Sequence, residues 1–300
     1  MSAQRDDELP VSETFAPQAA GPTVRRIALG SQLRKLREAR EVTREAAGHA
    51  IRASASKISR LELGRVASKE RDVADLLTLY GVHDGQRRSA FLQLLREANT
   101  PGWWHQYGDI LPSWFEVYVG LEEAASRIRT YEIQFVPGLL QTESYARALT
   151  TRGRPEAAPE EIDRRVAVRM TRQEILTRPA APQVWAVVDE EALRRPIGGQ
   201  RVIQGQIEHL IEVTKLPNVT LRVLPARSDG ITGEGGPFTI LRFAEPELPD
   251  VVYLEHLTSA IYLDRRSDVD RYQAVIDTLL VETGSQASTA KTLQTIRREI

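Results

Sequence analysis

Between Leu29 and Phe91 the chain repeats one local plan, a short amphipathic run closed by a turn. Leu29, Leu33 and Leu36 recur at spacings of four and three, the mark of one helix face. Thr43 can N-cap a second run, TREAAGHAI, with Ala46, Ala47, Ala50 and Ile51 inward. Arg52-Ala53 is a short connection, and Ser54 can cap a third helix with Ile58 and Leu61 inside and Gly64 at its end. A fourth carries Val73, Leu76, Leu77 and Tyr80 before Gly81, and a fifth Phe91, Leu92, Leu94 and Leu95. Helices this short are unstable alone in water, so they must share one core. The spacing predicts a compact all-α bundle of five helices.

Charge is uneven around that bundle. From Thr23 to Arg65 there are eleven Lys/Arg against four Asp/Glu, a net +7. The remaining 29 basic and 37 acidic residues give −8. Such asymmetry within one chain points to a polyanion partner for the basic part. A solvated helix surface is the plain alternative.

The segment LRKLREAREVTREAAGHAIRASASKISRLELGR resembles the helix-turn-helix of Xre/Cro-type regulators. The closing Ser-x-x-Glu-x-Gly is present as Ser59, Glu62 and Gly64, and the likeness covers residues 24 to about 82. Glu41 departs from it where a turn glycine is common. Arg52-Ala53-Ser54 departs where the turn often holds Gly-[VL]-[ST], and Arg44 stands where Gln often opens the second helix. The resemblance implies a recognition helix in the major groove, with Ala55, Ser56, Ser59 and Arg60 near base edges. Arg60 suits guanine O6 and N7, and Ala55 at most a thymine methyl. Arg44, Ser54, Lys57 and Arg65 fall where phosphates would be met. Glu62 has a plain alternative, a surface ion pair with Arg65. One such domain reads a half-site, so a homodimer on double-stranded DNA is expected.

After Thr100 the composition shifts. Trp103, Trp104, Tyr107, Trp114, Phe115 and Tyr118 cluster within sixteen residues, as aromatics lining a ligand site or an interdomain core would. Ser113 and Glu116 have capping-box spacing, and Val117, Leu121, Ala124, Ala125 and Ile128 continue an inner face. RTYEIQFV reads as a strand, Thr142 as a helix cap, and residues 159–178 as a long helix. PQVWAVVDE, NVTLRVLP, GPFTILRF, DVVYLEHL and AIYLD read as further strands, with GQRVIQGQIEHLIEV and residues 268–283 as helices. The expected organisation is a disordered arm over 1–23, the helix-turn-helix domain over 24–100, and a regulatory or dimerising domain over 101–283. A tail over 284–300 would be a last helix, loosely attached. The chain is α+β overall, its C-terminal domain α+β with a mixed or antiparallel sheet.

WWHQYGDILPSWFEVYVGLEEAASRIRTYEIQFVPGLLQTESYARAL, with RRVAVRMTRQEIL and VVDEEALRRPIGG, resembles a C-terminal domain of unknown function. It is found in a large actinobacterial group of antitoxin-like Xre regulators. That resemblance implies transcriptional control, and for some members a small partner protein encoded nearby. It supplies no ligand.

Other chemistries find little footing. Asp189, Glu190 and Glu191 at a strand end, with Arg169, Arg172 and Gln173 on a helix, could do acid–base work. The plainer reading is a helix cap and arginine pairs. The five histidines lack metal-ligand spacing, and the glycine-rich stretch over 228–237 lacks the G-K-[ST] of a phosphate loop. No enzyme, metal or cofactor is expected. Cysteine is absent and no apolar run nears the roughly 18 residues that span a bilayer, so a cytoplasmic protein without membrane contact is expected.

Overall fold

A computed structural model describes residues 21–226, 235–245 and 248–300. Residues 1–20 of the expected arm and 228–234 of the glycine-rich stretch lie outside these. The described chain divides after Thr100 into two compact units.

The first unit is five helices: α1 (Pro22–Ala39), α2 (Arg44–Ala50), α3 (Ala55–Glu62), α4 (Glu70–Leu79) and α5 (Gly85–Ala98). Helix α1 takes in Pro22 and Thr23, two residues expected in the arm, because proline at the first helical position lacks an N–H that would be unpaired anyway. Thr43, Ser54 and Asp84 accept the N–H three residues on and start α2, α3 and α5. Leu33, Ile58, Val73 and Leu77 are fully buried in one core with Tyr80, Phe91 and Leu95. Ala46 and Ala50 were expected inside and are exposed; Ala47 and Gly48 form the buried face of α2 instead. Gly30 permits the closest approach, since a Cβ there would sit 2.5 Å from the Leu61 and Glu62 carbonyl oxygens.

Polar groups also join the helices of this bundle. Glu62, expected on the surface, is buried at the end of α3. Arg37 Nε donates to its Oε1 and Nη2 to its Oε2 at 3.2 Å, while Arg44 Nε donates to Oε2 at 3.1 Å. One carboxylate therefore joins α1, α2 and α3. The hydrogen bond to Glu62 raises the Arg37 pKa despite burial.

Two turn residues carry backbone strain. Glu41 and Arg52 both have φ of 54°, the left-handed region that costs a non-glycine residue about 1–2 kcal/mol. These are two of the positions where the resemblance has glycine. The departure thus has a physical meaning: these turns hold the left-handed conformation without the residue that adopts it freely.

The second unit runs α6 (Ser113–Ala124), β1 (Arg127–Glu132), α7 (Glu143–Gly153), α8 (Pro159–Gln173), β2 (Gln183–Asp189), α9 (Glu190–Arg194), α10 (Gln200–Val213), β3 (Val219–Leu224), β4 (Phe238–Arg242), β5 (Val251–Glu255), β6 (Ala260–Leu263), α11 (Arg266–Glu282) and α12 (Gln286–Glu299). Its sheet has the order β3-β2-β1-β4-β5-β6 and is mixed. Strands β1, β2 and β3 are parallel, joined through helices as parallel strands must be. Strands β4, β5 and β6 follow antiparallel on the other side of β1. Tyr131, Val187, Phe238 and Val252 turn to one face, where Val269, Ile276 and Leu279 of α11 meet them.

Several local expectations are corrected. The capping box does not form: Pro112 is the N-cap of α6, and Ser113 is already helical. Strand β1 starts two residues earlier than RTYEIQFV and ends at Glu132. Helix α8 gives way to a 3-10 turn over Glu174–Leu176. The tail is a firm part of this unit, because Leu293 and Ile296 of α12 are fully buried and Thr289 Oγ1 accepts the Val223 N–H of β3 at 3.3 Å.

Removing one partner of a buried ion pair strands the other charge, which costs about 3–5 kcal/mol. Glu62→Ala is expected to lower the unfolding free energy by that amount in urea titration. Glu41→Gly relieves strain at an exposed turn and is expected to raise it by up to about 1 kcal/mol.

Candidate nucleic-acid interface

Helix α3 offers one face to the core and the other to solvent. Ile58, Leu61 and Glu62 point inward, Ser56 and Arg60 are exposed, and Ala55 and Ser59 are half-buried. All four residues expected near bases thus lie on one short, N-capped helix. The Arg60 side chain has no hydrogen bond or ion pair among the described residues. Its guanidinium fork is free to meet acceptors from outside.

The residues expected at phosphates are placed differently. Ser54 is exposed, but its Oγ accepts the Lys57 N–H at 3.2 Å, so the oxygen is already serving the helix. Lys57 Nζ donates to Asp72 at 2.8 Å. Arg44 shares Glu62 with Arg37 and leaves its terminal nitrogens uncommitted. Arg65 is half-buried, is engaged with a partner, and donates its backbone N–H to Arg60 O at 2.8 Å. A free cation that sequence reasoning missed is Arg52, exposed in the turn before α3. Its place in a turn that usually holds glycine was the available signal.

The aromatic cluster separates into two groups, both in the second unit. Trp103 meets Trp104 and Tyr107 edge-on at 5.9 and 6.3 Å. Trp114 meets Phe115 at 5.9 Å, Phe115 stacks on Tyr118, and Tyr118 stacks on Tyr253 at 4.1 Å. The second group lies over a buried ion pair. Arg172 donates to both Glu122 oxygens at 2.7 and 2.9 Å, with its guanidinium 5.1 and 5.3 Å from the Phe115 and Tyr118 rings. Tyr118 Oη donates to Glu122 Oε1 at 2.8 Å, and burial drives its pKa well up.

Residues 28–91 match a helix-turn-helix domain, and residues 115–295 match a domain of unknown function, DUF5753. The second match takes in more than half of the chain. The chain belongs to the DUF5753 family. No curated protein and no solved structure matches it. The DUF5753 match begins at Phe115, so Trp103, Trp104, Tyr107 and Trp114 precede it. Among the described residues no helix is long and apolar enough to cross a membrane, and no cluster of His, Asp and Glu could hold a metal ion.

Within the DUF5753 domain the acid–arginine constellation falls apart into separate tasks. Asp189 Oδ1 accepts the Glu191 N–H at 2.8 Å and caps α9. Glu190 pairs with Arg194 at 2.7 Å and accepts the Ala226 N–H. Arg172 is held by Glu122, and Gln173 Nε2 donates to the Gly138 and Gln141 carbonyls. Arg169 Nη1 donates to Gln141 Oε1 at 2.8 Å, and burial lowers its pKa to about 10. Sequence reasoning missed Glu132, the last residue of β1. Burial and then Glu255 push its carboxyl up to about 8, against the pull of Arg169.

That shift has a sign. A carboxyl with a raised folded pKa keeps its proton in the fold while the unfolded chain loses it. Its contribution is full below the ordinary value of 4.5 and lost as pH rises through about 8. Glu255 on β5, Arg169 on α8 and Tyr145 on α7 are the charged or titratable groups that act on it. Wild type is expected to lose stability relative to Glu132→Gln across that interval, read from urea midpoints at stepped pH.

Proposed function

We propose that this chain is a sequence-specific transcriptional regulator of the Xre type. It binds double-stranded DNA as a homodimer, with α3 in the major groove. Arg60 carries the reading: an exposed arginine with no internal partner, on the outer face of a capped helix, is the donor fork that guanine recognition requires. Ser56, Ser59 and Ala55 flank it toward the bases. Arg44, Arg52, Ser54 and Arg65 serve the phosphates, and Lys57 joins them by exchanging Asp72 for phosphate. The DUF5753 domain then dimerises, receives a signal, or does both.

A second reading has one observation behind it. Strand β6 ends the sheet with Ile261 exposed, and Leu257 just before it is 98% exposed. Exposed apolar residues at a terminal strand suit a protein partner. The chain would then act chiefly as an antitoxin-like holder of a small protein encoded nearby, with DNA binding for autoregulation. Co-expression with that neighbour, and its retention through purification, is the outcome this reading requires.

Fluorescence anisotropy with a fragment of the chain's own promoter and scrambled competitor tests the first reading. Wild type is expected to prefer the promoter, with affinity falling by a log–log salt slope of about −0.9 per phosphate contact. Arg60→Ala is expected to lose about 1–3 kcal/mol on the promoter and little on the scramble. Equal binding to both sequences by wild type sinks the assignment of α3 as a sequence reader.

A further inference from the structure

One buried carboxylate on α3 is shared by two arginines, and it does not treat them alike. Arg37 meets Glu62 at two points, Nε on Oε1 and Nη2 on Oε2. Arg44 meets it at one, Nε on Oε2 at 3.1 Å. The Arg37 and Glu62 side chains are 9% and 1% exposed, whereas that of Arg44 is 38% exposed. Among the described residues nothing accepts from the Arg44 terminal nitrogens.

The charges do not cancel. Two guanidinium groups against one carboxylate leave a surplus of one positive charge, and the two-point contact assigns the balance to Arg37. Arg44 is therefore the surplus cation, held at one edge and open at the other. A guanidinium is planar, so fixing Nε fixes the direction of both terminal nitrogens. A loose arginine loses rotamer freedom when it meets a ligand, whereas an anchored one has lost it already on folding.

Anchorage also fixes position. Glu62 lies two residues past Arg60 in α3, so the Arg44 guanidinium, though it comes from α2, is carried by the helix that presents Arg60. Phosphates flank a helix that lies in the major groove, and contacts to them set its register. Two terminal nitrogens side by side suit two oxygens of one phosphate.

We propose that Glu62 is a positioning residue for DNA binding: from inside the bundle it aims the Arg44 fork at one backbone phosphate. Arg37 neutralises Glu62, so the carboxylate holds Arg44 without cancelling its charge. This rests on the reading of α3 as the helix in the groove, and it gives a buried acid a part in holding a polyanion. The sign is opposite to that of net charge. Removing a negative charge from a DNA-binding domain strengthens its attraction to DNA, whereas losing the aim of Arg44 weakens binding.

A double-mutant cycle read by fluorescence anisotropy tests this, with Glu62→Gln, Arg44→Ala and both changes together, each on promoter and on scramble. Arg44→Ala is expected to weaken binding to both DNAs by roughly three- to tenfold and to make the log–log salt slope shallower by about 0.9. Glu62→Gln keeps the shape of the side chain and is expected to weaken both by roughly three- to tenfold, with unchanged circular dichroism and unchanged promoter preference. In the Arg44→Ala background it is expected to change nothing further. Equal or tighter binding by Glu62→Gln overturns the proposal. So does a loss that persists in full without Arg44, or one that erases the promoter preference, because both mark a disturbed α3 rather than a misdirected Arg44. Should Glu62→Gln not fold, Arg44→Lys takes its place, keeping the charge and lacking the Nε that Glu62 holds. It is expected to weaken both DNAs by roughly three- to tenfold, and wild-type affinity there overturns the proposal. The effect is read on the scramble as well, so its failure stands apart from any failure of α3 to distinguish sequences.

Discussion

Glu62 is a charge taken out of water, and three helices are arranged to answer it. Burying a carboxylate is unfavourable unless donors surround it, and here Arg37 of α1 and Arg44 of α2 supply them. The arrangement fixes where α3 ends relative to both earlier helices. Gly30 then lets the α1 backbone close on the carbonyls of the same turn. The outer face of α3 is presented by a rigid inner one, so Arg60 stands on a support that is itself held by charge. Arg44 is part of that support and is also partly exposed, which couples the bundle's stability to its surface.

The second unit uses the same device once and withholds it once. Glu122 and Arg172 answer each other fully, with aromatic rings over the guanidinium and a tyrosine hydroxyl on the carboxylate. Glu132 and Arg169 make no such pair among the described residues, and Arg169 donates to Gln141 instead. A fully answered pair stiffens the core around it, whereas burial holds the Glu132 carboxyl well above the ordinary carboxylate range.

Much of the bundle was legible because helix periodicity and capping are local. Leu33, Ile58 and Val73 declared their inward faces, and Thr43 and Ser54 their caps. Arg37 follows Leu33 and Leu36 on the same face, so its burial was readable in principle, but its partner twenty-five positions away was not. In the second unit, β-branched runs marked the strands to within a few residues. Their order and direction depend on crossovers that no window of sequence contains. Helix α12 was legible as a helix but its firm attachment was not, because its inward face is thin, only Leu293 and Ile296 with Thr289. The raised carboxyl of Glu132 was illegible, for the groups that act on it sit on other elements and none carries a motif.

Thr289 has a consequence in time. The Val223 N–H that it satisfies lies 66 residues earlier in the chain. A ribosome adding about 5–20 residues per second needs roughly 3–13 s to cover that interval. Throughout it, the Val223 N–H of β3 lacks the side chain that accepts from it in the fold. The hydrogen bond that Thr289 gives β3 therefore belongs to the last contacts the domain can close as it is made.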